Sequence, residues 1–121
     1  MPGRIMIVED EPHIVESLTF LLTREGYEVE AITDGDRALA ALAGSLPAVL
    51  VLDAMLPGTD GFAILRRLRG EVRSAKLPIL MLTAKGQRRD REVAETLGAD
   101  RFLAKPFSNA ELIETIRELA R

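Results

Sequence analysis

Four short apolar runs without alternation, Ile5–Val8, Val49–Leu52, Ile79–Leu82 and Phe102–Ala104, punctuate the chain, with a weaker fifth at Val29–Ile32. Runs of this length read as strands covered on both faces. Between them the apolar spacing changes to three and four. Ile14, Val15, Leu18, Leu21 and Leu22 predict a first helix, with Pro12 in its first turn and Gly26 as its stop. Asp34 caps a second, carrying Ala38, Leu39 and Leu42 and ending near Gly44. Thr59 or Asp60 caps a third, with Phe62, Leu65 and Leu68 on one side. A fourth is expected from about Gln87 to Leu97, closed by Gly98. Ser108 and Glu111 form a capping box before Leu112, Ile113, Ile116 and Leu119.

Five strand–helix units with short connections and no hairpin signal predict a parallel sheet with helices on both faces. At 121 residues this is one domain, residues 1–121, long enough to bury a core. The chain stops where the last helix is expected to end, as in a free-standing domain or one excised from a longer protein.

Charge and composition narrow the function. The net charge of -3 argues against nonspecific binding to nucleic acid, and the local basic stretch Arg66, Arg67, Arg69, Arg73 and Lys76 reads as a solvated helix face and its exit. Without cysteine there are no disulfides, thiolate metal sites or thiol catalysis. No signal peptide, membrane-length apolar span or lipidation motif is evident, so a cytoplasmic protein is expected.

Polar residues gather at equivalent places in the units. Glu9 and Asp10 follow the first strand, Asp53 the third and Lys105 the fifth, while Thr83 ends the fourth. In a parallel sheet these ends share one rim, where ligands bind. Two carboxylates ~4 Å apart repel by roughly 4 kcal/mol at an effective dielectric near 20, so such a rim requires a cation. Oxygen donors without His or Cys, with room for water and phosphate oxygens, suit Mg²⁺ better than Ca²⁺. Lys105 supplies a fixed second positive charge. The set fits phosphoryl acceptance: Asp53 attacks in line, the metal screens repulsion, and Lys105 and Thr83 hold the transferred oxygens. Taken singly, Asp10 is a helix cap, Asp53 a turn residue and Lys105 a surface charge. Their joint convergence is what those readings leave unexplained. His13, alone on an early helical turn, reads as a polar surface residue, and Glu11 and Asp60 as solvent-facing or capping.

The segments VEDE (8–11), LDAMLPGTDG (52–61), LTAKG (82–86) and LAKPF (103–107) resemble the receiver domain of two-component response regulators, closest to the branch that precedes a winged-helix DNA-binding domain. The resemblance covers essentially the whole chain. It implies a flavodoxin-like, CheY-like doubly wound (βα)5 three-layer sandwich with strand order 2-1-3-4-5, an order for which a chemotaxis receiver is a standard example. By the same resemblance Asp53 is the phosphoacceptor, and Glu9 and Asp10 are the acidic pair that helps hold Mg²⁺. The Met55 backbone carbonyl is a further ligand, Thr83 the switch hydroxyl and Phe102 the switch aromatic. Lys105 is the family's lysine, followed by Pro106 through a cis bond. The implied partner is a sensor histidine kinase or phosphotransfer protein, and the implied output a shape change of the face made by the fourth helix, last strand and last helix. Met55 and Lys85, beside the site, are expected to tune hydrolysis.

That branch often dimerises through the same face, with an acid and a base where this chain has Arg101 and Thr115. Arg91 and Glu111 match another such pair, so the face is only partly complementary and argues against a phosphorylation-driven homodimer. Three other readings have specific weaknesses. A haloacid-dehalogenase-type phosphohydrolase needs a second Asp where Met55 stands, and room for a cap domain. A nucleotide or flavin module needs a glycine-rich phosphate loop after the first strand and aromatic rings, of which only Tyr27 is a candidate. A pseudo-receiver used only for protein contacts would show a damaged site.

Overall fold

The structure, a computed structural model, describes residues 3–84 and 88–121. Five strands alternate with five helices: β1 (Arg4–Val8), α1 (Pro12–Arg24), β2 (Glu28–Ile32), α2 (Gly35–Gly44), β3 (Val49–Asp53), α3 (Gly61–Arg69), β4 (Ile79–Ala84), α4 (Arg88–Leu97), β5 (Arg101–Lys105) and α5 (Asn109–Ala120), with one 3-10 turn at Val72–Ser74. The strands form one parallel sheet in the order β2-β1-β3-β4-β5, the order that the resemblance implies.

Side chains alternate across each strand and so divide the core in two. Met6, Val8, Leu50, Leu52, Ile79 and Met81 pack against α2, α3 and α4 through Leu42, Ile64, Leu65 and Ala94. Ile5, Ile7, Val49, Val51, Leu80, Leu82 and Leu103 face α1 and α5 through Leu18, Leu22, Leu112 and Ile116. Burial on both faces is why the central strands read as continuous apolar runs. The two edge strands differ from these: β2 leaves Glu28 and Ala31 exposed, which explains its weak signal, and β5 leaves Arg101 and Ala104 exposed.

Each predicted helix is present, with small boundary shifts. Glu11 rather than Asp10 caps α1, its carboxylate accepting from the His13 and Ile14 amides. Asp34, Asp60 and Ser108 cap α2, α3 and α5 through the amides of Arg37, Ala63 and Glu111. α2 ends at Gly44, where its end was expected. The expected start of the fourth helix at Gln87 falls outside the described residues.

The basic stretch departs from its solvated reading at two positions. Arg69 donates to the Gly98 carbonyl (2.9 Å), the Ser74 carbonyl (3.1 Å) and Asp100 (2.9 Å). Arg73 donates to the Leu42 carbonyl at 2.8 Å. Arg66, Arg67 and Lys76 remain exposed. No helix among the described residues is long and apolar enough to cross a membrane.

Candidate functional site

Register builds the site. Val8 pairs with Leu52, so Glu9 and Asp53 leave adjacent strands side by side. Ala84 pairs with Lys105, which brings the end of β5 to the same rim. Asp53, Thr83 and Lys105 all prove to lie within their strands. The two-residue alternation groups Glu9, Asp53 and Lys105 with Ile7, Val51 and Leu103, toward α1 and α5. Thr83 has the opposite parity, shared with Met81 and Phe102, toward α4.

The distances show a tight charged cluster. Lys105 Nζ lies 3.1 Å from Asp53 Oδ2 and 2.8 Å from Glu9 Oε1. Asp53, only 3% exposed, accepts from the Met55 amide at Oδ1 (3.2 Å). Glu9 is fully buried, and its Oε2 accepts from the Glu11 amide at 3.0 Å. Its Oε1 is close to the ammonium but off the direction a hydrogen bond requires, so among the described residues a buried lone pair has no partner. Asp10 is exposed, yet carboxylate oxygens of Glu9, Asp10 and Asp53 all lie within 4.8 Å of one another. Glycine at 61 is required here, because a Cβ would sit 2.0 Å from the Asp53 carbonyl oxygen.

Burial and charge pull the ionisable groups in definite directions. Burial raises the Glu9 carboxyl above its ordinary value; Lys105 and the Glu11 amide oppose this, and the neighbouring Asp53 adds to it. Burial acts to lower Lys105, but the adjacent Glu9 and Asp53 carboxylates outweigh it and raise the net value.

The other expected site residues have distinct settings. Thr83 is buried, its hydroxyl 3.5 Å from the Leu103 carbonyl, at the limit of a hydrogen bond. Half-buried Phe102 carries the Arg91 guanidinium over its ring at 4.4 Å. Met55 is 68% exposed, while Lys85 lies outside the described residues. The Lys105–Pro106 bond is cis. Arg101 pairs with Glu118 of the same chain at 3.6 Å, and the Thr115 hydroxyl donates to the Glu111 carbonyl at 2.8 Å. His13 is exposed. It lines a groove of about 430 Å³ between α1 and the start of α5, together with Ile14, Ser17, Lys105 and Phe107. Sequence spacing gave no sign of this groove, since it joins segments that no local periodicity links.

The three carboxylates, all hard oxygen donors with one orphaned buried oxygen among them, fit a divalent metal site. Known proteins share the architecture. The crystal structure of a putative response regulator from Chloroflexus aurantiacus J-10-fl superposes with a TM-score of 0.94 at 38% identity, over 100% of both chains. The receiver domain of sensor histidine kinase PA1611 from Pseudomonas aeruginosa, 30% identical with a TM-score of 0.89 over 99% of this chain and 98% of that one, has a magnesium ion coordinated in its active site cleft. Among curated proteins, the phosphate regulon transcriptional regulatory protein PhoB of Rhizobium meliloti is 42% identical over 100% of this chain and 53% of its own length. Transcriptional regulatory protein TcrA of Mycobacterium tuberculosis is 45% identical over 98% and 46%. The chain thus spans about half the length of these curated relatives. Residues 5–117 match the response regulator receiver domain, a signalling module whose members partner with sensor histidine kinases, and the chain belongs to that family.

Proposed function

We propose that residues 1–121 form a single phosphoacceptor receiver domain that acts in the cytoplasm as a Mg²⁺-dependent switch, with Asp53 taking the phosphoryl group from a sensor histidine kinase or phosphotransfer protein. The observation that carries this reading is the buried Asp53 carboxylate, bridged by Lys105 to a Glu9 that keeps one unpartnered oxygen. A carboxylate oxygen of Asp53 attacks phosphorus as the P–N bond of the donor phosphohistidine breaks, and the imidazole leaves with the bonding pair. In the return reaction water attacks phosphorus, the bond to Asp53 breaks, and orthophosphate and the free carboxylate result. The chain catalyses only these two steps on itself.

Each side chain has a share. The Met55 amide and the Lys105 ammonium fix the two oxygens of Asp53. Lys105 is also placed to follow an added phosphoryl oxygen as a point charge. Glu9, Asp10, Asp53 and the Met55 carbonyl would hold Mg²⁺, which when bound screens repulsion between the acidic rim and the incoming phosphoryl group. Thr83, weakly held at Leu103, turns its hydroxyl toward the new oxygens, and Phe102 moves into the space released. Exposed Met55, with Lys85, governs water access to the acyl phosphate. The groove beside Lys105 gives the phosphohistidine partner a place to dock.

The α4-β5-α5 face transmits the change. Arg101 already pairs with Glu118 within its own chain and Arg91 is stacked on Phe102, which disfavours a homodimer through this face. The length and names of the relatives support transcriptional control through a further output domain, and the net charge of -3 argues against direct nucleic-acid contact by this one. Incubation with acetyl phosphate and Mg²⁺ is expected to give a labile mass adduct that Asp53→Asn lacks; a wild-type chain that never acquires it overturns the reading. Sedimentation with and without beryllofluoride tests the dimer, and a persistent monomer is expected.

A further inference from the structure

The loop between β3 and α3 is closed at its base and fastened at its tip by different parts of the molecule. At the base the Ala54 amide donates to the Leu82 carbonyl (2.9 Å) and the Gly61 amide to the Ala54 carbonyl (3.1 Å). Within it, the Met55 amide holds Asp53 Oδ1. The tip is held by the first turn of α2. The Gly35 amide donates to the Pro57 carbonyl at 3.1 Å, and the Thr59 hydroxyl donates to Asp36 Oδ1 at 2.5 Å. The contact at Gly35 is so close that a Cβ there would lie 1.7 Å from the Thr59 carbonyl oxygen. An acid in a first helical turn ordinarily serves its own helix dipole. Asp36 instead accepts from a residue 23 positions away, in the loop that carries Met55.

We propose that Gly35 and Asp36 are positioning residues for the phosphoacceptor: by clamping Pro57 and Thr59 they fix the loop so that the Met55 amide stays on Asp53, and thereby set metal affinity and phosphoaspartate lifetime. This rests on the reading of Asp53 as phosphoacceptor. The tip bonds span the exposed end of the loop, whereas the base bonds alone leave Pro57 to Thr59 without a fixed partner. Loss of the Asp36–Thr59 bond frees Met55 to swing with the tip, and the Asp53 carboxylate loses one of the two donors that orient it.

Asp36→Ala and Thr59→Val each remove one side of the bond, the second with almost no change of shape. In Mg²⁺-free protein, amide exchange at Met55, followed by NMR, is expected to accelerate in both. Calorimetry is expected to show Mg²⁺ binding weakened about 10-fold, with a shifted half-life of the acetyl-phosphate adduct. The double variant should add nothing further, and Asp36→Asn, which keeps an acceptor oxygen, should recover most of the loss. Arg4→Ala, which breaks contacts to Glu30 and Ser45 at the far end of the sheet, controls for a general loss of stability. Wild-type exchange, affinity and lifetime in folded Thr59→Val, or equal changes in Arg4→Ala, would overturn the clamp; should Asp36→Ala fail to fold, Thr59→Val decides alone. A wild-type chain that takes up no phosphate overturns the phosphoacceptor reading instead, and leaves the exchange result to judge the clamp.

Discussion

Two charged clusters sit at opposite ends of one sheet and are built on opposite principles. At the amino end, Arg69 meets Asp100 and the carbonyls of Gly98 and Ser74, and Asp100 also accepts from the Ile79 amide at 2.8 Å. One cation faces one anion, with spare donors taken by carbonyls. At the carboxyl end, among the described residues, a single ammonium, Lys105, faces Glu9 and Asp53 with Asp10 close by, and Glu9 Oε1 has no hydrogen bond. The first arrangement is complete and fastens α3 to the start of β4 and the turn before β5. The second has a net negative charge and an idle lone pair in a buried place, which raises the free energy of the protein until a cation arrives. Imbalance, more than the presence of charge, distinguishes a binding site from a fastener.

The largest expected effect tests Lys105, the only cation that pairs with Glu9 and Asp53 among the described residues. Lys105→Met leaves the carboxylates facing one another, and urea unfolding of Mg²⁺-free protein should show a loss of about 3 kcal/mol, the lower end for breaking a buried pair because Lys105 is partly exposed. Unchanged stability would mean that Lys105 does not relieve the rim. Next in size is the metal itself. At about 100 times its dissociation constant, Mg²⁺ should stabilise the wild type by about 2.7 kcal/mol. Glu9→Gln should lose most of that increment, and a full increment in that variant would remove the idle oxygen from the metal site.

At the balanced end the effects should be smaller and indifferent to metal. Arg69→Ala removes three charge-assisted bonds at a partly exposed site, and a loss of about 2 kcal/mol is expected in unfolding measurements. The Mg²⁺ increment and the acetyl-phosphate adduct should be unaffected. A changed increment would show that the two ends are coupled through the sheet and do not act independently.

The same contrast governs what the sequence made readable. The rim was legible because topology alone gathers it: once five units alternate in parallel, Glu9, Asp53 and Lys105 have to share an end. Strand ends were read short because apolar character stops at Leu52 and Ala104, whereas the backbone ladder ignores polarity and carries Asp53 and Lys105 inside it. Arg69 was illegible for a different reason. Its partners at Gly98 and Asp100 are 29 and 31 residues away, so within its own helix it is simply one more arginine. Asp36 and Thr59 are hidden in the same way, and so is the stacking of Arg91 on Phe102, which needs α4 and β5 already packed together.

The smallest effect is a pH dependence confined to the unbalanced end. Burial raises the folded-state value of Glu9 above its ordinary 4.5, so from 4.5 upward the folded Mg²⁺-free chain holds a proton there that the unfolded chain has lost. Stability contributed by the protonated form is therefore fully present below about 4.5 and is lost as pH rises through the higher folded value. Lys105 does not confuse this window, because its own value is raised from 10.5 and its contribution is lost only as pH climbs through that raised value. Measured as the difference between wild type and Glu9→Gln, which cancels the other carboxylates, unfolding free energy should fall against the variant as pH is raised from 4.5 toward neutrality. Mg²⁺ holds the carboxylate ionised and competes with that proton, so saturating metal should flatten or invert the slope. A difference that does not vary with pH in the absence of metal would mean that the buried Glu9 carries no ionisation penalty, and would put it with Asp100 among the balanced groups.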